Sequence, residues 1–403
     1  MTTMIYPTLH LLARPDVMPS GLHVTRASEA TRVNALGRVE TVSAHVLRHD
    51  YAPDTGVYRG WLVEEARTNQ VRFSQVLTQA PWLTGDATVT ARAVLAPDGV
   101  SLAGTLTETA ATAVHTLFQE SLSFTAGQRY ALSVFAKANG RERLQLVLPS
   151  TAFGVVQSAV FDLGGGSIGA TEGDPAPTIE VFTDGWVRCA LSATATGTAL
   201  SPVHLRLRDT GAVSSYTGDG VSGAHLWGVQ LEAGAAPSSL IATTTAPATR
   251  AADRLRMTLG AGDVHPHQGT LMARGAVPAG LAAPLVELSD GTADARMTLS
   301  VDAQAGSAAF TVVDGGATVA ALSRDGVTGG AEVRAAAAYA DDDVALALGG
   351  SALATDGDAT VPTVTTLTLG GTASGAVGPR CWVRQVGVFP RRLGDGDLQS
   401  LSA

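Results

Sequence analysis

Apolar and polar residues alternate with period two along most of this chain, in short runs broken by turns. Arg129-Tyr-Ala-Leu-Ser-Val-Phe-Ala136 puts Tyr130, Leu132 and Val134 on one face. Arg143–Leu148, Val187–Leu191 and Val203–Arg208 alternate in the same way, and in the last of these His204, Arg206 and Arg208 face outward. Gly164–Gly166, Asp184-Gly185 and Tyr216–Gly220 mark the turns between them. A second series follows at Gly269–Arg274, Arg296–Val301, Ala309–Val313 and Trp382–Phe389, with turns at Asp314–Gly316, Asp325-Gly326 and Gly349-Gly350. No segment sustains a long helical period, although Leu393–Ser400 suits one helical turn with Asp395 near its start. The pattern predicts an all-β chain: two β-sandwich (jelly-roll) domains preceded by a β-rich N-terminal arm. The predicted divisions are an arm over 1–60, a sandwich over 61–250, a linker over 251–268 and a second sandwich over 269–403. The arm holds one clear strand, Arg38–Val42, between turns at Asn34–Gly37 and Pro53–Gly56, and is too small to bury a core alone. It is expected to dock on the next domain or on another chain. The linker carries Pro247 just before it, a strand candidate Arg254–Leu259, and the turn His265-Pro-His267.

Composition agrees with this reading. The 403 residues include 45 glycines, with 45% apolar and only 16% charged residues, which describes a globular chain of short strands and tight turns. Net charge is 27 − 36 = −9, which argues against nucleic acid or an anionic membrane as partner. Lys137 is the sole lysine, an arginine bias that a GC-rich genome explains. Cys189 and Cys381 fall in different predicted domains, so no disulfide framework is expected and synthesis in a reducing cytoplasm is. Met1–Pro7 lacks the features of a signal peptide, and no apolar run is long enough to span a membrane.

Several phrases recur in a fixed order: Thr25-Arg-Ala-Ser28, Arg59 through Asn69, Phe135-Ala-Lys137, Phe161-Asp162, Asp184-Gly-Trp-Val-Arg188, Tyr216–Gly220, Trp227 through Gly234, and Arg250-Ala-Ala-Asp253. Over roughly residues 20–253 the chain resembles, on these phrases, the carbohydrate-binding-like module of phage tail and head appendages. Gly269-Thr-Leu271, Ala336–Tyr339, Leu367–Gly370, Trp382-Val-Arg384 and Phe389–Leu393 resemble a concanavalin A/laminin G-like jelly roll. The resemblance implies a non-enzymatic virion protein, a spike, fibre or adhesin contacting host surface glycans. Such chains also occur in phage-like gene transfer agents. It further implies particles released by lysis and attachment of the arm to other virion proteins. Virion spikes are commonly homo-oligomers, so one is expected here, although no coiled-coil heptads fix its symmetry.

No catalytic constellation stands out. Glu64-Glu65 are strand neighbours pointing to opposite faces, so they cannot flank one glycosidic bond. The histidines form no HExxH pattern, and there is no GxSxG, P-loop or dinucleotide fingerprint. His265-Pro-His267 reads as a solvated turn before a metal site. No cofactor is expected. A structural Ca²⁺ could draw carboxylates from Asp341-Asp-Asp343 and from Asp356 and Asp358, and a solvated hairpin tip accounts for them equally well. Sugar binding calls for an exposed aromatic face with polar groups beside it. Trp82 and Tyr216 lie in turn-rich segments and are the aromatic candidates, while Arg206 and Arg208 could serve an acidic polysaccharide. Trp61, Trp186 and Trp227 lie in apolar strands and read as core.

The main functional expectation is a virion appendage that attaches the particle to host polysaccharide. The alternatives are a spike-base connector that binds other virion subunits and the non-catalytic part of a glycan-degrading enzyme.

Overall fold

The computed structural model describes residues 6–211 and 213–403, with the side chains of residues 92 and 93 outside the description. Met1–Ile5, part of the segment read as carrying no leader, lies outside the described residues. The fold is all-β and built from two sandwiches. The middle sandwich faces two six-stranded sheets across one core. Its inner sheet runs Ala176–Val181, Val187–Thr194, Arg129–Asn139, Gly223–Ala233, Leu102–Glu108, Ala87–Leu95. Its outer sheet runs Ser167–Glu172, Gln157–Asp162, Arg143–Leu148, Ala199–Arg208, Thr116–Phe124, Trp82–Gly85. Alternation places the side chains: Val203, Leu205 and Leu207 enter the core while His204 and Arg206 lie on the opposite face.

The terminal sandwich is not assembled from its own stretch of sequence. Gln268–Ala276 and Cys381–Phe389 form the centre of an eight-stranded sheet. Cys381–Phe389 then pairs on its other edge with Tyr58–Val63 and with Leu9–Leu12, and His49–Tyr51 pairs with Tyr58–Val63. The facing seven-stranded sheet takes His23–Thr25 and Arg254–Thr258. Leu11, Leu22, Leu47, Trp61, Val63 and Leu255 accordingly sit in the same core as Leu271, Phe310 and Val383. The segment expected to be an arm beside the next domain therefore supplies four strands to the last one. The expected linker contributes the strand Arg254–Thr258 to a sheet. Short strands at 9–12, 49–51 and 58–63 cannot bury an apolar face as a unit, and the open edge of Cys381–Phe389 takes up Leu9–Leu12 and Tyr58–Val63, the latter carrying His49–Tyr51.

The outer face of this eight-stranded sheet is also covered. Asp395–Ser402 is a helix, and Leu398 and Leu393 pack on Ala336, Ala338, Ala345 and Ala347. Strands buried on both faces read as continuous apolar runs, which explains the alanine-rich Val333–Ala340.

Where the sandwiches meet, the ordered phrases come together. Glu64 and Asp253 are fully buried, and each bonds to the other's backbone segment: Asp253 N donates to Glu64 O at 2.9 Å, and Glu64 N to Asp253 Oδ2 at 3.0 Å. Arg26 donates to Asp253 at 2.8 Å and Arg48 to Glu64 at 2.8 Å; Arg48 also pairs with Asp253, and Arg250 reaches Glu64 at 3.4 Å. Ser239 N and Oγ donate to the Glu64 carboxylate at 2.9 and 2.7 Å. Asn69 closes the same seam, donating to Val229 O and Ile241 O and accepting from Val71 N and Leu231 N. Burial alone would raise the Glu64 carboxyl; Arg250, Arg48 and Arg380 outweigh it and hold it well below the usual carboxylate range. Arg26, Arg48, Glu64, Arg250 and Asp253 are all buried and hold the architecture together, while Arg380 reaches the seam from its edge. Trp61, Trp186 and Trp227 are buried.

Candidate functional site

The same seam opens on one side into a cleft of about 730 Å³, within the usual size range of ligand sites. One wall comes from the terminal sandwich: Tyr58 and Arg59, Gly275 and Ala276, and Trp382 with Arg380 and Arg384. The facing wall comes from the middle sandwich: Thr178, Ile179 and Glu180 on one strand, and Arg188 and Ala190 on the next. Gly60 lets the chain carry Arg59 to this position. Its φ is +122°, and a Cβ there would lie 2.6 Å from Val383 O.

Trp382 anchors the first wall. Its Nε1 donates to Asp50 Oδ2 at 2.7 Å, and the guanidiniums of Arg59 and Arg380 each lie 4.8 Å from its ring centroid. Arg59 reaches across the cleft to Glu180 at 3.0 Å. Burial would raise the Glu180 carboxyl, but Arg380 and Arg59 overcome that and hold it low. Burial raises the buried Asp50 carboxyl despite Arg380 nearby. At the mouth, Glu332 gathers Arg274 at 2.6 Å, Arg384 at 3.1 Å and Arg334 at 3.3 Å. Tyr58 is half-buried, with its hydroxyl 2.9 Å from His49 Nδ1, and Val57 beside it is exposed. The cleft thus combines an aromatic ring, apolar side chains and charged hydrogen-bonding groups of both signs.

The residues singled out from sequence lie elsewhere. Trp82 and Tyr216 are each only 7% exposed, so neither offers the open face that sugar stacking requires. Trp82 Nε1 donates to Phe73 O at 3.1 Å. The Tyr216 hydroxyl donates to Glu108 at 2.7 Å, within a cluster where Arg141 makes two bonds to Glu108 and lies 5.1 Å from the Tyr216 ring centroid. Both aromatics are internal because each polar tip finds a partner inside. Arg206 and Arg208 do share the non-core face of the outer sheet. Arg208 is buried and bonded to Gln145 and Ser214, so it does not face outward as expected. Arg206 is half-buried, opposite Thr116 and Gln145. His204 beside it lies over Phe118, and burial followed by Arg206 lowers its imidazole to about 4.

Glu64 and Glu65 lie just beyond the strand Tyr58–Val63 and not within a strand as expected, yet they diverge, Glu64 into the arginine seam and Glu65 to Arg67. The aspartates considered for Ca²⁺ make other contacts. Asp341 accepts from Val361 N and lies 3.5 Å from His267, Asp343 pairs with Arg392, and Asp356 accepts from Asp358 N. Among the described residues no group of three or more His, Cys, Asp or Glu is placed to hold a metal ion. Cys189 and Cys381 are free and buried, and burial pushes the Cys381 thiol up to about 12. No helix among the described residues is long and apolar enough to cross a membrane.

A signal for the cleft was present in the sequence and was missed. Arg380-Cys-Trp-Val-Arg384 puts Arg380, Trp382 and Arg384 on one face by simple alternation. The facing Arg188 closes the phrase Asp184–Arg188.

No family model matches the chain, and no curated protein matches it. Among solved structures it is similar to the binding domain of botulinum neurotoxin serotype D, with 11% identity and a TM-score of 0.30 over 37% of this chain. The chain spans only 40% of that toxin domain's length. It is also similar to domains LG4-5 of the mouse laminin alpha1 chain, with 12% identity and a TM-score of 0.24 over 71% of this chain and 95% of that one. The CBM22-1–CBM22-2 tandem of Paenibacillus barcinonensis Xyn10C gives 12% identity and a TM-score of 0.24 over 81% of this chain and 98% of that one. Likeness at these TM-scores carries no argument about what this chain binds.

Proposed function

We propose that this chain is a non-catalytic attachment protein of a phage-like particle, and that its inter-sandwich cleft holds host surface polysaccharide. The observation that carries the reading is the cleft itself, an open site of about 730 Å³ that sets Tyr58 beside paired arginines and carboxylates. That is the mixture a saccharide needs, with apolar surface for its C–H faces and fixed charged groups for its hydroxyls. The appendage role rests on the ordered phrases of the sequence. Display of several copies on one particle would raise a weak single-site affinity.

Binding of the purified protein to host cells, with and without their surface polysaccharide, tests this. Binding is expected to fall at least tenfold on stripped cells and with Tyr58→Ala combined with Arg384→Ala. Equal binding to both kinds of cell would remove the glycan reading. Release of reducing ends from the polysaccharide would contradict the non-catalytic one.

One observation favours the connector reading instead. The hairpin joining Ala87–Leu95 to Leu102–Glu108 exposes Leu95, Val100 and Leu102 together, with Val100 85% exposed. An exposed apolar cluster of this kind suits contact with another protein.

A further inference from the structure

We infer that the deep end of the cleft, where Arg188 and Arg380 meet, is a recognition site for a carboxylate, so that the polysaccharide it selects is an acidic one. This rests on the glycan-binding reading and narrows it to sugars bearing a carboxyl group, such as uronic or sialic acids.

Arg188 is the reason. It is only 5% exposed, yet it lines the open cleft. The buried arginines of the seam, Arg26, Arg48 and Arg250, each pair with Asp253, Glu64 or both. Arg188 differs in making no ion pair within 4.0 Å among the described residues; one nitrogen donates to Ser133 Oγ at 3.1 Å, and its buried Nε, like those of Arg48 and Arg250, has no partner. Glu180 sits opposite it in strand register but pairs with Arg59. A guanidinium carries five donors in a planar fork, and burying it without a paired anion is costly. Burial and then Arg380 pull Arg188 below its ordinary value, the carboxylates of Glu232, Glu180 and Glu64 act the other way from beyond ion-pair distance, and the Phe135 ring lies 5.2 Å away.

Arg380 is also underused. Its Nε lies 3.6 Å from Glu64, too far for a hydrogen bond, and its plane rests on Trp382. Behind the two arginines is a void of only about 20 Å³, which admits one water and no sugar, so a ligand must reach them from the cleft. The cleft is lined by four arginines, Arg59, Arg188, Arg380 and Arg384, against Asp54, Glu180 and Glu332, leaving one positive charge. One monovalent carboxylate balances it, and its two oxygens match the guanidinium fork.

The test uses the full chain and immobilised oligogalacturonate, hyaluronan and polysialic acid, each beside its carboxyl-reduced form and within a wider panel of neutral glycans. At least one acidic form should bind, and should lose tenfold or more in affinity on carboxyl reduction. Arg188→Gln should lose the same factor, and Arg188→Lys, which keeps the charge but not the fork, less. Equal binding of an acidic form and its reduced form would overturn the inference and leave glycan binding intact. Binding to no glycan at all would overturn both. The comparison of ligand forms needs no variant. A second readout separates recognition from support: Arg188→Gln should unfold at the same denaturant concentration as wild type or higher. A lower midpoint would mean that Arg188 serves the fold, and would overturn its assignment to a ligand.

Discussion

Glu64 and Asp253 carry the seam between them: Arg48, Arg250 and Arg380 face Glu64, and Arg26, Arg48 and Arg250 face Asp253. Replacing Glu64 with glutamine would leave buried positive charge uncompensated, a change that typically costs about 3–5 kcal/mol. Denaturant unfolding should show that loss at pH 7. The pH dependence has a definite sign. The folded carboxyl titrates below its ordinary value of 4.5, so its contribution is complete above that value and is lost as pH falls below it. Glu64→Gln should therefore flatten the acid limb of the stability curve below about pH 4.5, while leaving its shape above that unchanged. At this scale the sequence was legible in part. The phrases containing Glu64, Asn69 and Asp253 stood out, but whether they faced a ligand or one another depended on contacts between segments far apart in the chain. Trp82 shows the opposite failure. A tryptophan following Pro81 in a turn-rich stretch reads as exposed, and only the position of Phe73 O shows that its indole is satisfied indoors.

Among elements, the strand Leu9–Leu12 has the clearest job, which is to close the edge of Cys381–Phe389 from Leu9↔Val388 to Leu12↔Gln385. Its deletion should expose a row of unpaired backbone groups on a central strand. Removing residues 1–13 is expected to lower the thermal midpoint and to produce concentration-dependent association, read by calorimetry and size-exclusion chromatography. An unchanged midpoint with a monomeric profile would mean that the strand is decoration. Strand positions were largely readable, because period two survives wherever one face is buried: Arg143–Leu148 coincides with its prediction, and Arg296–Asp302 exceeds its own by one residue. Partner choice was not readable. A short strand can pair with any open edge of matching register, so nothing local says that Tyr58–Val63 should join a strand more than three hundred residues later.

For the molecule as a whole, the middle sandwich is continuous in sequence and the terminal one is split around it. A fragment spanning residues 64–250 retains both six-stranded sheets and their core, and should give a cooperative unfolding transition. A fragment of residues 269–403 lacks Leu11, Trp61, Val63 and Leu255 from its core, and should not. Circular dichroism of the two fragments during thermal unfolding checks this; cooperative melting of the second would mean that the borrowed strands are dispensable. The split also sets a timetable for synthesis. Thr8 bonds to Val388, 380 residues away, so Leu9–Leu12 leaves the ribosome with no partner yet made. At ~5–20 residues per second it waits roughly 20–75 s, while the middle sandwich emerges and folds. The cleft is therefore completed late, only when Cys381–Phe389 closes over segments translated more than three hundred residues earlier. A nascent chain interrupted before Cys381 would carry a finished middle sandwich and no site.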